Sequence, residues 1–266
     1  MLRDPFLKGL RDQLRPLVMW SVGVAFYVAL LISIYPSIRK SAGAIQEYVK
    51  NMPEGIKAAF MGSSDFSTPV GYVNVELLSW LAPIVLIGFA VAVAARSLAG
   101  EEESGTLSLV LTHAVGRRRL VLQKYAAMVV VVVALGAVFW LSLSIATAIA
   151  GTPVGAGDLA KAFLGLTLLG LAIGSITYAT SAATGRRQIG IAAGAGVGVA
   201  MYLLNTLAVM NETIRPFRYL SLFHYSGGAS PLGKDLDVPG LLVLLATSVV
   251  MLVATLLLFE RRDVRV

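Results

Sequence analysis

The chain has 266 residues, of which 57% are hydrophobic and only 14% charged; 22 Lys and Arg against 15 Asp and Glu leave a net charge of +7. Water-soluble domains carry charge on about a quarter of their residues, so these values exclude an ordinary one. The absence of cysteine excludes disulfides, thiolate metal sites and a cysteine nucleophile.

Apolar runs near twenty residues long, each able to cross a ~30 Å hydrocarbon core as a helix, recur six times. They predict an all-α membrane protein, a single transmembrane domain over 1–266, with spans near 17–35, 77–95, 126–150, 159–183, 188–210 and 239–259. Ahead of the first span, Phe6, Leu7, Leu10, Leu14 and Leu17 recur at helical steps while Lys8, Arg11, Asp12 and Arg15 take the other side. That pattern predicts an amphipathic helix lying along the inner leaflet. The first apolar run exceeds the ~7–15 residues of a signal peptide's core, so it reads as an uncleaved span. Between the first two spans, Ile38, Ile45, Val49, Ile56 and Phe60 suggest short surface helices, interrupted at Gly62 to Asp65 and at Pro69.

Six spans put both termini on one side. That side holds fourteen Lys and Arg against eight on the other, and seven acidic residues against eight, so the whole +7 lies on one face. The positive-inside rule makes this face cytoplasmic. The cations are spread over four short segments beside spans, which suits topogenesis and anionic headgroups and argues against a nucleic-acid partner.

The main cytoplasmic element runs from Arg96 to Lys124. Gly100 ends the second span, and Glu101, Glu102 and Glu103 follow where a helix N-terminus favours negative charge. The short helix beginning there carries Leu107, Leu109, Val110 and Leu111 in an aqueous loop. These residues form either a docking surface for another protein or packing against the chain's own helix ends. Glycines concentrate in the next-to-last spans: Gly170 and Gly174 in the fourth, and Gly190, Gly194 and Gly198 on one face of the fifth. Such spacing lets backbones approach closely, within one copy or between two.

Other chemistry is sparse. Gly228 to Asp235 has the spacing of a phosphate-binding loop, but Asp235 replaces its Ser or Thr and the expected flanking strand and helix are lacking, so it reads as a turn. His113 and His224 fall on opposite faces, giving no metal site. No charged residue lies deep in a span, which argues against ion relays and intramembrane catalysis. The polar groups available there, such as Ser142, Thr147, Thr177, Tyr178 and Asn205, more often bond neighbouring helices than substrate.

Glu-Ser-Gly-Thr-Leu at Glu103 to Leu107, then Leu111, Gly116 to Arg119 and Gln123-Lys124, resemble the signature loop of ABC-2-type exporter permeases. Pro53 to Leu77, Tyr219 to Tyr225 and Phe259 to Asp263 resemble that family's first outer loop, last outer loop and ending, in the same order. Ala114, Val115 and Leu222 depart from prolines common there and affect loop shape. The resemblance implies a permease that dimerises with a second copy or a paralogue in a bacterial or archaeal cytoplasmic membrane, in contact with membrane lipid. It also implies a separate ATP-binding-cassette ATPase as partner, with ATP and magnesium bound there and no cofactor on this chain. Glu101, Glu102, Glu103, Gly105, Thr106, Leu107 and Leu111 would form the ATPase-coupling helix, and the amphipathic N-terminus the interface helix. The uncharged spans favour a hydrophobic or amphipathic substrate. A non-transporting sensor or immunity subunit, or a membrane anchor, is the alternative from another class.

Overall fold

Six apolar helices carry the architecture of the computed structural model, which describes residues 4–40, 51, 68–103, 105, 116–152, 154–228, 231–232 and 235–261. We label them α1 (Pro5–Lys40), α2 (Pro69–Ser97), α3 (Arg117–Ile149), α4 (Ala156–Thr184), α5 (Arg187–Met210) and α6 (Val238–Arg261). Each contains the corresponding expected span to within a residue at its ends. Among the described residues no strand occurs.

The N-terminal segment is helical as its periodicity predicts, but it is not a separate element. α1 runs through 36 residues with Pro16 inside it. Along its first turns Pro5, Gly9 and Gln13 face the protein, while Leu7 and Leu14 are about half exposed. The leucines thus point away from the chain's own core, as a lipid-facing stripe would.

α2 starts where Thr68 accepts a hydrogen bond from the Gly71 N–H at 3.0 Å and Pro69 occupies the first turn. A π-helical stretch, Asn74–Leu78, follows, and the Ser79 N–H reaches back five residues to the Asn74 carbonyl. The widened turn buries the Asn74 amide, which accepts from Leu232 N–H at 3.0 Å and donates to Leu232 C=O at 3.4 Å. One side chain therefore serves both backbone groups of Leu232, far away in the chain. Asn74→Leu keeps the bulk and removes both bonds, leaving buried backbone groups without partners. It is expected to cost about 1–3 kcal/mol, read as a lower thermal midpoint in detergent with faster hydrogen exchange at Leu232.

Burial orders the helices. In their most apolar windows α4 is 72% and α2 61% buried, against 17% for α5 and α6 and 22% for α1. α4 is the centre, packed by α2, α3, α5 and α6, with α1 laid mainly on α3. Small residues set these contacts. A methyl group added at Gly170 would lie 3.3 Å from the Leu86 carbonyl, and one at Gly174 would lie 3.0 Å from Ala90 Cβ. The α2 backbone thus rests on the glycine stripe of α4. α4 stops at Gly185, whose φ of +65° suits a residue without a side chain. Only Gly185 and Arg186 then separate it from α5.

Pairings at the helix ends show that the start of α1, the end of α2, the start of α3, the α4–α5 turn and the end of α6 lie together. Lys8 and Lys124 meet at Glu101, Glu103 meets Arg187, and Arg118 forms a two-pronged ion pair with Glu260. Together they form the basic end of the bundle. At the opposite end the segment between α5 and α6 folds back on the bundle through a 3₁₀ turn, Arg215–Leu220, and a single helical turn, Leu222–Tyr225. Leu222 and Phe223 are buried against Leu169, Ala172 and Ile173 of α4 and Leu244 of α6. A methyl group on Gly165 would come within 2.9 Å of the Ser226 carbonyl.

Candidate functional site

The basic end gathers the acidic residues singled out in the sequence, and it treats them differently. Directly after α2, Ala99–Glu103 forms one helical turn. Three consecutive glutamates on a helix point in directions about 100° apart, so they cannot share one environment. Glu101 turns inward, its side chain 11% exposed, and its Oε1 accepts from Lys8 Nζ at 2.9 Å and Lys124 Nζ at 2.6 Å. Lys124 is 4% exposed. Glu102 is half-buried and Glu103 exposed. The Glu103 carboxylate accepts from the Arg187 backbone N–H at 2.8 Å. It thus caps α5, whose N-terminus carries an unpaired donor and partial positive charge. Gly105 has φ +69°. Thr106, Leu107 and Leu111 lie outside the described residues, as do Leu109, Val110 and His113.

Sequence reasoning missed the Lys8–Glu101–Lys124 triad, because its members are 93 and 23 residues apart. The available signal was Lys8, set between Leu7 and Leu10. Its approach is permitted by Gly9, where a methyl group would lie 3.1 Å from Ala127 Cβ and 3.7 Å from Lys124 Cδ. Glu101 and Lys124 also line a small cavity of about 130 Å³, together with Asp12, Gln13, Arg96 and Ser97 and with apolar side chains such as Val93 and Met128.

Gly190 and Gly194 sit against the preceding helix. A methyl group on Gly190 would be 2.6 Å from Ser181 Cβ and 3.2 Å from its Cα, and one on Gly194 would be 1.8 Å from Thr177 Oγ1 and 3.1 Å from Val91 Cγ2 of α2. Gly198 makes looser contact with Ile87 and Ile173. The three glycines therefore face α4 and α2 within the same chain. Gly196, on another face of α5, has open space beside it.

The polar groups inside the bundle are mostly occupied locally. Thr147, Thr177 and Ser181 bond carbonyls of their own helices. Tyr178, fully buried, donates to the Val121 carbonyl at 2.9 Å, tying α4 to α3.

Larger openings are apolar. A groove of about 400 Å³ runs between α2 and α5, lined by Ile84, Ile87, Val91, Ile191, Val199 and Tyr202 with Phe223 at one end. A second, of about 380 Å³, lies between α1 and α2 around Met19, Gly23, Tyr27 and Val85, against Phe139 of α3. Trp20 separates them, its ring edge-on to Phe89 at 5.8 Å and its tip facing Gly88. α2 is thus recessed between α1 and α5. Neither groove holds an ionisable side chain other than a tyrosine. Among the described residues no group of His, Asp and Glu is arranged to hold a metal ion.

The sequence model for the family described as ABC-2 family transporter protein matches residues 6–264. The chain belongs to the ABC-2 transporter family. A comparison with curated proteins finds no match. Membership makes this chain a membrane permease of an ABC system, the kind of subunit that generally works with an ABC ATPase and is not itself catalytic.

Proposed function

We propose that the chain is the membrane-spanning permease of an ABC exporter, moving a hydrophobic or amphipathic substrate with ATP and magnesium bound on a separate ATPase subunit. The observation that carries the substrate class is the α2–α5 groove, about 400 Å³ of hydrocarbon lining. An inorganic ion entering it would lose hydration with no group to replace it, whereas an alkyl or aromatic moiety loses nothing. The basic end faces the cytoplasm by its excess of Lys and Arg. The loop beyond Glu103 holds the ATPase, with Gly105, Thr106, Leu107 and Leu111 as its coupling residues beside Glu102. A second copy or a paralogue pairs with this chain along the helices whose apolar windows are least buried within it, α1, α5 and α6.

Docking is tested at Leu107. A leucine buried only in the complex can be replaced by Asp without harm to the free permease, but the complex then buries an unpaired charge. Leu107→Asp is expected to weaken ATPase binding by about 2–4 kcal/mol, a hundredfold or so, with the permease still monodisperse in detergent. Co-purification of ATPase with Leu107→Asp at wild-type yield would remove the loop from the coupling role.

Sidedness has its own test, since the chain brings no cysteine background. Ser104→Cys should react with an impermeant maleimide only in inverted vesicles, and Ser64→Cys only in intact cells. The reverse pattern would place the basic end outside.

A further inference from the structure

Attachment of a partner does not need a buried ion cluster, yet one stands at the root of the loop. Glu101 lies two residues before that loop, on the turn that follows α2, and bonds at once to Lys8 of α1 and Lys124 of α3. Taking the charges of Glu101 and Lys124 out of water is costly, and such clusters stabilise less than well-packed apolar side chains of the same size. Their best-attested use is to fix a register or a switch. Here the cluster ties α1, through Lys8, 93 residues away from Glu101 in the chain, to the two elements that flank the loop. The cavity of about 130 Å³ adds Asp12 and Arg96 as charged neighbours, with room for water. The joint can therefore exchange partners without placing a bare charge in hydrocarbon.

We propose that Glu101 is a positioning residue of the ATP-driven cycle: its two ion pairs bind α1 to the turn after α2 and to α3, so that displacement by the ATPase reaches α1 and not only the two helices that the loop joins. The proposal rests on the reading that the loop docks an ATPase. Glu101 itself need not touch the partner, and its inward, largely buried carboxylate separates it from Glu102 and the exposed Glu103. The contact of Gly9 with Ala127 keeps α1 and α3 in step beside it.

The test uses the permease–ATPase complex. Spin labels at Leu14→Cys on α1 and Leu257→Cys on α6, both exposed positions, report their separation in spin-diluted complexes, without nucleotide and trapped with ATP and vanadate. The variant Glu101→Gln with Lys124→Met removes the joint without leaving a buried charge alone. It should retain the ATPase at wild-type stoichiometry, while the fraction of molecules reaching the ATP-dependent distance falls about tenfold. Glu101→Asp, which keeps the charge, should recover most of that fraction. An undiminished shift in the neutral variant, or no shift in the wild-type complex, overturns the proposal. So does loss of the ATPase from the neutral variant, because Glu101 would then belong to the docking surface. Failure of the docking reading looks different: Leu107→Asp would keep its ATPase, or the wild-type pair would not associate, and in the latter case the proposal falls with it.

Discussion

Gly190→Leu is expected to disrupt the bundle, while Gly196→Leu, the same change six residues on in the same helix, is expected to be tolerated. At Gly190 even a methyl group would lie 2.6 Å from Ser181 Cβ and 3.2 Å from both Ser181 Cα and the Thr177 carbonyl. Two of those atoms belong to the α4 backbone, which cannot rotate aside. α5 would have to move outward, breaking the contacts of Gly194 with Thr177 and Val91 and opening the wall of the α2–α5 groove. Overpacking of a close contact costs about 1–3 kcal/mol where side chains can yield, and more where the obstacle is backbone, so we expect at least ~3 kcal/mol. At Gly196 nothing stands within 4 Å of the added carbon, so a leucine has open space within this chain to extend into. Fluorescence-detected size exclusion after a temperature ramp reads both variants. Equal midpoints would mean that α5 does not rest on α4 through this face.

The second large effect is expected at Glu101. Glu101→Ala leaves Lys124, only 4% exposed, without its anion, and stranding a buried charge costs about 3–5 kcal/mol. Lys8→Ala should cost about 1 kcal/mol or less, because Lys8 is 30% exposed, water shares its charge, and Glu101 keeps Lys124. Glu101→Gln combined with Lys124→Met should recover most of the loss, giving a strongly non-additive pair. Thermal midpoints of the four proteins in one detergent check the order. If Glu101→Ala costs no more than Lys8→Ala, the cluster is solvated in the protein.

The helices were legible because hydrocarbon imposes a length and a composition on anything that crosses it, and α2 to α6 each satisfy both without ambiguity. Gly170 with Gly174, and Gly190 with Gly194, were legible as close-packing positions because the four-residue step survives in any helix. Which helix they met was not, since periodicity carries no address; the structure directs the first pair to Leu86 and Ala90 and the second to Ser181 and Thr177. The continuity of α1 escaped prediction for a related reason. An amphipathic surface helix and a span have the same backbone, so a change in side-chain pattern near Leu17 suggested a boundary that the backbone does not have. The π-helical stretch at Asn74 depends on a partner, Leu232, 158 residues away, and leaves no local mark. At the candidate site, adjacency made Glu101, Glu102 and Glu103 look equivalent. Only the arrival of Lys8 and Lys124 from other elements distinguishes the first of them.

The unbroken α1 also bears on the bilayer itself. Its apolar stretch from Leu17 to Tyr35 is about 28 Å long at 1.5 Å per residue, closely matched to a ~30 Å hydrocarbon core. Arg15 stands at one end of that stretch, and Arg39 with Lys40 at the other, all three exposed. A helix free to slide or tilt would absorb a change in membrane thickness by itself. α1 is held at one end by Lys8 and by the contact of Gly9 with Ala127, and at the other by the Leu31 carbonyl accepting from Tyr72 O–H. In a thicker or thinner membrane the lipid around α1 must therefore deform, at a cost of fractions of a kcal/mol per Å. The acyl-chain length of the host membrane thereby sets how far the lipid around this permease is deformed.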